Sequence, residues 1–287
     1  MSVSHGGALA SMRDSLRYAR FETALPELPE VETVVRSVAS HIAGRRIEAV
    51  TLSSHRVTRG KHRQTVKSLV GRTITAVRRH GKQILIELDG GLLYIHLGMT
   101  GNLLWNAKPG KYSRAVIELD DGTLVYNDVR QFGRVEFFTE APPLITAVGP
   151  DALQLDFPSF FQRLKTRKGA IKPLLLNQRF LCGVGNIYAD EALFAARIHP
   201  RTPARRISRK RAAELHSRIV EVLRLAIEHR GSSISNYIDA SGEPGNFQRM
   251  HSVYGRTGEP CLRCGSPIRR IVLGQRGTHY CGRCQRA

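Results

Sequence analysis

The last stretch of the chain, CLRCGSPIRRIVLGQRGTHYCGRC over residues 261–284, constrains the fold more than any other. Cys261 and Cys264 form one C-x2-C pair, Cys281 and Cys284 a second, and sixteen residues separate the pairs. Each C-x2-C makes a tight turn that aims two sulfurs at one point. A strand–turn–strand between them, with GQRG at its tip, brings the pairs together. Four thiolates so spaced match a tetrahedral structural zinc site. Four sulfurs leave no open position for water, so one structural Zn2+ is expected and no organic cofactor. An iron–sulfur cluster or reduced thiols are the alternatives. The fifth cysteine, Cys182, reads as a small buried apolar residue. Cysteines crowded in this way do not resemble a spread disulfide framework. Residues 1–24 lack the apolar core of a secretory signal. A reducing, cytoplasmic location is expected.

Charge narrows the partner. Lys and Arg number 44 against 24 Asp and Glu, a net charge of +20. Such an excess points to an anionic polymer, most often nucleic acid. After Gly245 there are eight arginines and one acid, Glu259. The cysteine module is therefore a basic finger, and Arg276 at its tip is a candidate phosphate or minor-groove contact. No apolar run approaches the ~20 residues that a membrane helix needs.

The rest of the chain divides by period. Pro29, with Glu30 and Glu32 in the first turn, starts a helix whose stripe is Val31, Val34, Val35, Val38 and Ile42, ended by Gly44. Residues 45 to about 140 alternate like strands, with Asp-Gly and Gly-Gly turns, and read as a β-sandwich or barrel-like unit. A proline-rich linker follows. From about 156 to 235 the period is helical. There, AIKPLLLNQ and NIYADEALF are joined by GVGN, with Gly183 and Gly185 permitting a sharp turn and Asn186 suited to cap the second helix. That helix start, with Lys168 and Lys172 flanking the first segment, suits a phosphate. The stretch 236–254 is polar and turn-rich. The resulting division is 1–25 a non-native or removed extension, 26–145 a catalytic β-sandwich, 146–155 a linker, 156–250 a helical DNA-binding domain and 251–287 a zinc finger. The fold class is α+β and multidomain.

From Pro26 onward the chain closely resembles the bacterial formamidopyrimidine-DNA glycosylases. The resemblance is carried by PELPEVET at 26–33, RRHGK at 78–82, HLGMTG at 96–101, DVRQFG at 128–133, KGAIKPLLL at 168–176, GVGNIYADEALF at 183–194, VYGRTGEPCLRCG at 253–265 and QRGTHYCGRC at 275–284. Endonuclease VIII-type enzymes, which act on oxidised pyrimidines, usually begin differently after the proline. The resemblance implies a β-sandwich, a helix–two-turns–helix domain and a zinc finger around a DNA cleft. It implies a monomeric bifunctional enzyme that excises 8-oxoguanine and formamidopyrimidines from double-stranded DNA and cuts the abasic strand by β,δ-elimination.

The resemblance also implies roles. Pro26 is the nucleophile, forming a Schiff base once its nitrogen is a free secondary amine. Glu27 is the general acid at the sugar ring oxygen, and Glu30 positions the site. Lys82, expected on a strand edge, donates a proton during β-elimination, and Arg276 serves δ-elimination. Met99, Arg130 and Phe132 fill the gap left by a flipped base. Asn186, with Arg167 or Lys168, holds phosphates. Two positions depart from the family pattern: Gln131 stands where a second Arg is usual, and Tyr112 where a His is common. Leu25 stands where the family has its initiator Met, so translation from a leucine codon, inserted as Met and then trimmed, would expose Pro26. The rival readings are a non-catalytic damaged-DNA binder with Pro26 left internal, and an RNA- or ribosome-associated zinc ribbon.

Overall fold

The computed structural model of the chain describes residues 25–234 and 237–286. Residues 1–24 of the expected 1–25 extension lie outside them. Helix α1 (Leu28–Ile42) opens the described chain. Glu27 is its extended N-cap residue, Pro29 sits in the first turn, and the valine stripe faces inward. Strand β1 (Ile47–Leu52) and the short helix α2 (His62–Leu69) follow. Strands β2 (Ile74–His80), β3 (Gln83–Leu88), β4 (Gly91–His96), β5 (Gly101–Trp105), β6 (Ser113–Leu119), β7 (Thr123–Asp128) and β8 (Arg134–Phe138) complete two four-stranded sheets, ordered β1-β6-β7-β5 and β2-β3-β4-β8. All neighbours are antiparallel. In β6, Ser113, Ala115, Ile117 and Leu119 are buried while the residues between them are not, the period-two signature of a half-buried strand. Helix α2 interrupts the stretch expected to be strands throughout. Its segment HRQTVKSL is mostly polar, and its packing rests chiefly on buried Leu69 and half-buried Val66.

The helical part comprises α3 (Pro143–Thr146), α4 (Phe157–Lys165), α5 (Ile171–Leu176), α6 (Asn186–Ala195) and the long α7 (Arg209–Glu228). Asp156 caps α4 by accepting from the Ser159 N–H at 2.8 Å. The finger is a hairpin of β9 (Ile268–Leu273) and β10 (Arg276–Cys281). Its apex is the two-residue turn Gly274–Gln275, with φ of +54° and +62°, as tight hairpins prefer. Arg276 is thus the first residue of β10, one step down from the apex.

Three clusters of buried side chains result. Val31, Val34, Val38 and Ile42 of α1 join the sandwich core, while Leu28 of the same helix joins the helical core. The head of α1 therefore sits on the seam between the two units. Lys172, expected to flank a phosphate site, is fully buried instead. Its Nζ pairs with Asp190 of α6 at 2.7 Å and donates to the Gly277 carbonyl at 2.8 Å. Asp190 also accepts the His279 N–H at 2.8 Å. A buried charge pair thus clamps the finger hairpin to α5 and α6.

Candidate active site

The seam at the head of α1 brings separate parts of the chain together. Glu27 is buried, and its carboxylate accepts the Ile187 N–H at 2.9 Å and approaches the Tyr188 N–H at 3.5 Å. These are the second and third N–H groups of α6, the ones an N-cap side chain satisfies. The capping residue of α6 is Gly185, not Asn186, which is the first helical residue. Glu27 supplies the missing cap from across the seam. A Cβ on Gly185 would lie 2.2 Å from the Glu27 Cδ, and one on Gly183, at φ +101°, would lie 2.5 Å from Leu28. Only glycines permit that approach. The Asn186 Oδ1 is buried without a protein partner.

Glu30 is buried beside Glu27. It accepts from the Glu27 N–H at 2.8 Å, the Tyr188 hydroxyl at 2.5 Å and the Ser232 N–H at 2.7 Å. Burial raises the pKa of Glu30. Burial likewise pushes Glu27 up to about 7, with Glu30 adding to the rise and Lys82 and the α6 N–H groups opposing it. Lys82 lies in the Gly81–Lys82 turn between β2 and β3 rather than on a strand edge. That turn is fixed from outside the sheet: Asp151 accepts the Gly81 N–H at 2.9 Å and pairs with Arg79 at 2.5 Å. Burial lowers the Lys82 pKa, Glu27 and Glu30 pull it back up, and Arg276 lowers it further. A carboxyl able to hold a proton near neutrality thus lies in the field of an ammonium whose pKa burial lowers, with the Arg276 charge in the same field. Cys182 is buried against the turn, where a Cβ on Gly81 would meet its Sγ at 2.8 Å.

Two loops reach toward the same cleft. Phe132 is 52% exposed and Arg130 stacks over its ring at 4.6 Å, while Met99 is half-buried. Asp128 ties the loops together. It is fully buried and accepts from the Thr100 hydroxyl at 2.6 Å and the Gly133 N–H at 2.9 Å. The Thr100 oxygen in turn accepts the Arg130 N–H at 3.1 Å. Gln131 takes φ +55° and accepts from the Ser54 hydroxyl at 2.6 Å. A cleft of about 400 Å3 is lined by both Phe132 and Lys82, with His96, Arg134 and Leu144. Tyr112 is exposed in the turn just before β6, with Lys111 and Arg114 about 6 Å from its ring. Arg167 and Lys168 lie exposed between α4 and α5, outside the converging set.

Known proteins with the same pattern decide the family. Residues 25–135 match the formamidopyrimidine-DNA glycosylase N-terminal domain, 147–237 the H2TH domain of the same enzymes, and 258–287 the zinc finger found in FPG and IleRS. The formamidopyrimidine-DNA glycosylase of Solibacter usitatus is 50% identical over 264 residues, which is 91% of this chain and 100% of that one. That of Variovorax paradoxus is 44% identical with the same coverage. The chain belongs to the formamidopyrimidine-DNA glycosylase family. Among solved structures, the MutM (Fpg) protein of Thermus thermophilus superposes with a TM-score of 0.83 at 41% identity, covering 91% of this chain and 98% of that one. A Lactococcus lactis Fpg variant in complex with Fapy-dG DNA gives 0.84 at 36% identity, covering 91% and 100%.

The family's finger bears the test of its metal. The four sulfurs lie within 4.8 Å of one another, with Cys264–Cys281 at 3.5 Å and Cys261–Cys284 at 4.0 Å. A tetrahedral ion with Zn–S bonds of ~2.3 Å separates its sulfurs by roughly 3.8 Å. The residues present fit structural zinc.

Sequence reading missed Tyr188, Ser232, Asp128 and Asp190, and it gave Lys172 to a phosphate where the structure gives it to Asp190. The first two meet Glu30 across sequence separations of 158 and 202, which no local spacing encodes. Tyr188 and Asp190 stand inside the GVGNIYADEALF motif and Asp128 opens DVRQFG, and those positions were the available signals.

Proposed function

We propose that the chain is a bifunctional DNA glycosylase and AP lyase acting on oxidised purines in duplex DNA, 8-oxoguanine and formamidopyrimidines among them. The observation that carries this reading is the buried Glu27 directly after Pro26, held on the start of α6 beside Glu30, where burial raises its pKa to about 7. A carboxyl near neutrality is protonated often enough to donate and ionised often enough to recover its proton.

In the proposed reaction the Pro26 nitrogen, as a free amine, attacks the anomeric carbon of the flipped nucleotide. The bond to the damaged base breaks and the base leaves with a proton. Glu27 protonates the sugar ring oxygen, the ring opens, and the nitrogen and carbon share an iminium. Loss of a proton from the neighbouring sugar carbon then expels the 3′ phosphate. A second elimination expels the 5′ phosphate, with Lys82 and Arg276 placed to handle the charge. Phe132, Met99 and Arg130 would occupy the vacated stack, and Asn186, Arg167, Lys168 and Tyr112 would contact the backbone. The finger, folded on one Zn2+ held by Cys261, Cys264, Cys281 and Cys284, would carry Arg276 to the site. The chain's resemblance to Lactococcus lactis Fpg solved with Fapy-dG and abasic-site DNA supports this placement.

An internal Pro26 has an amide nitrogen without a basic lone pair and cannot attack. The family match begins at residue 25, and the relatives' whole length aligns with 91% of this chain. We therefore propose that the active form begins at Pro26. Borohydride reduction during reaction with an 8-oxoguanine duplex should yield a covalent adduct on a chain starting at Pro26. The adduct should map to Pro26 and vanish in Pro26→Gly. Tight lesion binding with no adduct would favour a non-catalytic binder.

A further inference from the structure

The finger carries a second concentration of positive charge, away from the cleft. Arg197, Arg211, Arg263, Arg283 and Arg286 line a pocket of about 560 Å3 whose remaining walls are Cys264 and Cys284. These arginines come from four places: the turn after α6, the first turn of α7, the first cysteine knuckle, and the second knuckle with the residues just beyond it. The pocket lies at the cysteine end of the β9–β10 hairpin, where Ile268 pairs with Cys281, whereas Arg276 pairs with Leu273 at the other end. At ~3.3 Å per residue the two ends are roughly 17 Å apart. The pocket and the proposed active site therefore flank opposite ends of one hairpin.

Among the described residues no carboxylate pairs with any of the five. A zinc ion with four thiolates bears a net double negative charge, which offsets only part of them. The first turn of α7, at the positive end of a long helix dipole, carries Arg209, Lys210 and Arg211 and no acid. Cations there are electrostatically disfavoured unless an anion joins them. Arg263 is held in place by stacking over Phe194 at 4.5 Å and donating to its carbonyl at 3.2 Å. Arg211 is braced on the Arg197 carbonyl at 3.4 Å. The site is thus partly preorganised.

The lining also says what kind of anion fits. Every cation is arginine, whose planar fork suits phosphate oxygens. No aliphatic or aromatic side chain lines the pocket, so it offers neither an anchor for an acidic peptide nor a platform on which a nucleobase could stack. We propose that this pocket binds the sugar–phosphate backbone of DNA lying outside the catalytic cleft, either the flank of the duplex under repair or a second duplex. It takes from the proposed function only that DNA is the ligand, and undamaged DNA tests it without catalysis.

The exposed pair Arg283 and Arg286 are replaced together by Ala, and Arg211 alone by Ala, with zinc content confirming the fold. Binding of long undamaged duplex is followed between about 50 and 200 mM salt. The slope of log K against log salt should become less steep by about 0.9 for each arginine removed. Excision from a short lesion duplex that fills only the cleft should stay at the parent rate. Capture of a labelled duplex by enzyme on bead-bound DNA identifies a second duplex as the source. Affinity that grows with duplex length, without capture, identifies the flank. Unchanged slopes in both variants would overturn the proposal. So would equal losses on short and long duplexes, which would assign the arginines to the cleft, or loss of acidic-peptide binding alone.

Discussion

Glu27 has two tasks: it caps α6 across the seam and, in the proposed reaction, gives up a proton. Glu27→Gln keeps an oxygen for the Ile187 N–H and removes the acid. Base excision by a chain starting at Pro26 should fall by about 10²–10⁴, with stability near the parent's only at acidic pH, below about 4.5. Glu27→Ala should also uncap α6, costing about 0.5–2 kcal/mol in chemical denaturation. The raised pKa fixes the pH dependence. The carboxyl is protonated below about 7, so the limb of the single-turnover rate that depends on it should decline as pH rises through that value, and Glu27→Gln should lack this limb. For stability the folded pKa lies above the ordinary value, so this group's contribution is full below about 4.5 and is lost as pH rises through about 7. The Gln variant should gain on the parent across that window. A gap that stays flat with pH would contradict the shift. Pro26, Glu27 and Glu30 were legible because they share one short motif. Glu27 as a cap was not, because its partners stand about 160 residues away.

At the scale of elements, the wedge loops owe their shape to Asp128 at the end of β7. Phe132→Ala removes an exposed ring, so the fold should be untouched in thermal unfolding while lesion-duplex binding weakens. Asp128→Ala leaves the Gly133 N–H and Thr100 hydroxyl without their buried acceptor, at a cost of about 1–3 kcal/mol. It should loosen both loops at once and weaken lesion binding although Asp128 itself is fully buried. Equal binding by Asp128→Ala and parent would rule out the tie. The strands around these loops were readable from alternation, and Asp-Gly and Gly-Gly marked their turns. Helix α2 was not, since too few of its residues are apolar to set a helical period. Nor was the Lys82 turn, because the aspartate that fixes it comes from the linker after the sandwich.

Across the whole molecule, the site exists only where two cores and a finger meet. Leu28 and Val31 of one helix enter different cores, so the head of α1 cannot shift without disturbing both. The finger is coupled differently, through four cysteines at one end and Lys172–Asp190 beneath the hairpin. Spacing announced the cysteines, but it could not show that a lysine in AIKPLLL is a buried strut rather than a phosphate contact. The two anchors should fail separately. Chelation, or Cys281→Ser, should melt the hairpin, carry Arg276 away from the cleft and abolish DNA binding, while the sandwich, which has its own core, still unfolds as before. Lys172→Ala should keep its zinc but leave Asp190 buried without a counter-charge, a loss of about 3–5 kcal/mol. Its finger should come undocked, so that zinc content stays at the parent's level while lesion binding and strand cleavage fall together. If Lys172→Ala cut DNA as the parent does, the clamp would be no part of what brings Arg276 to the site. If chelation left affinity unchanged, the finger would have no share in holding DNA.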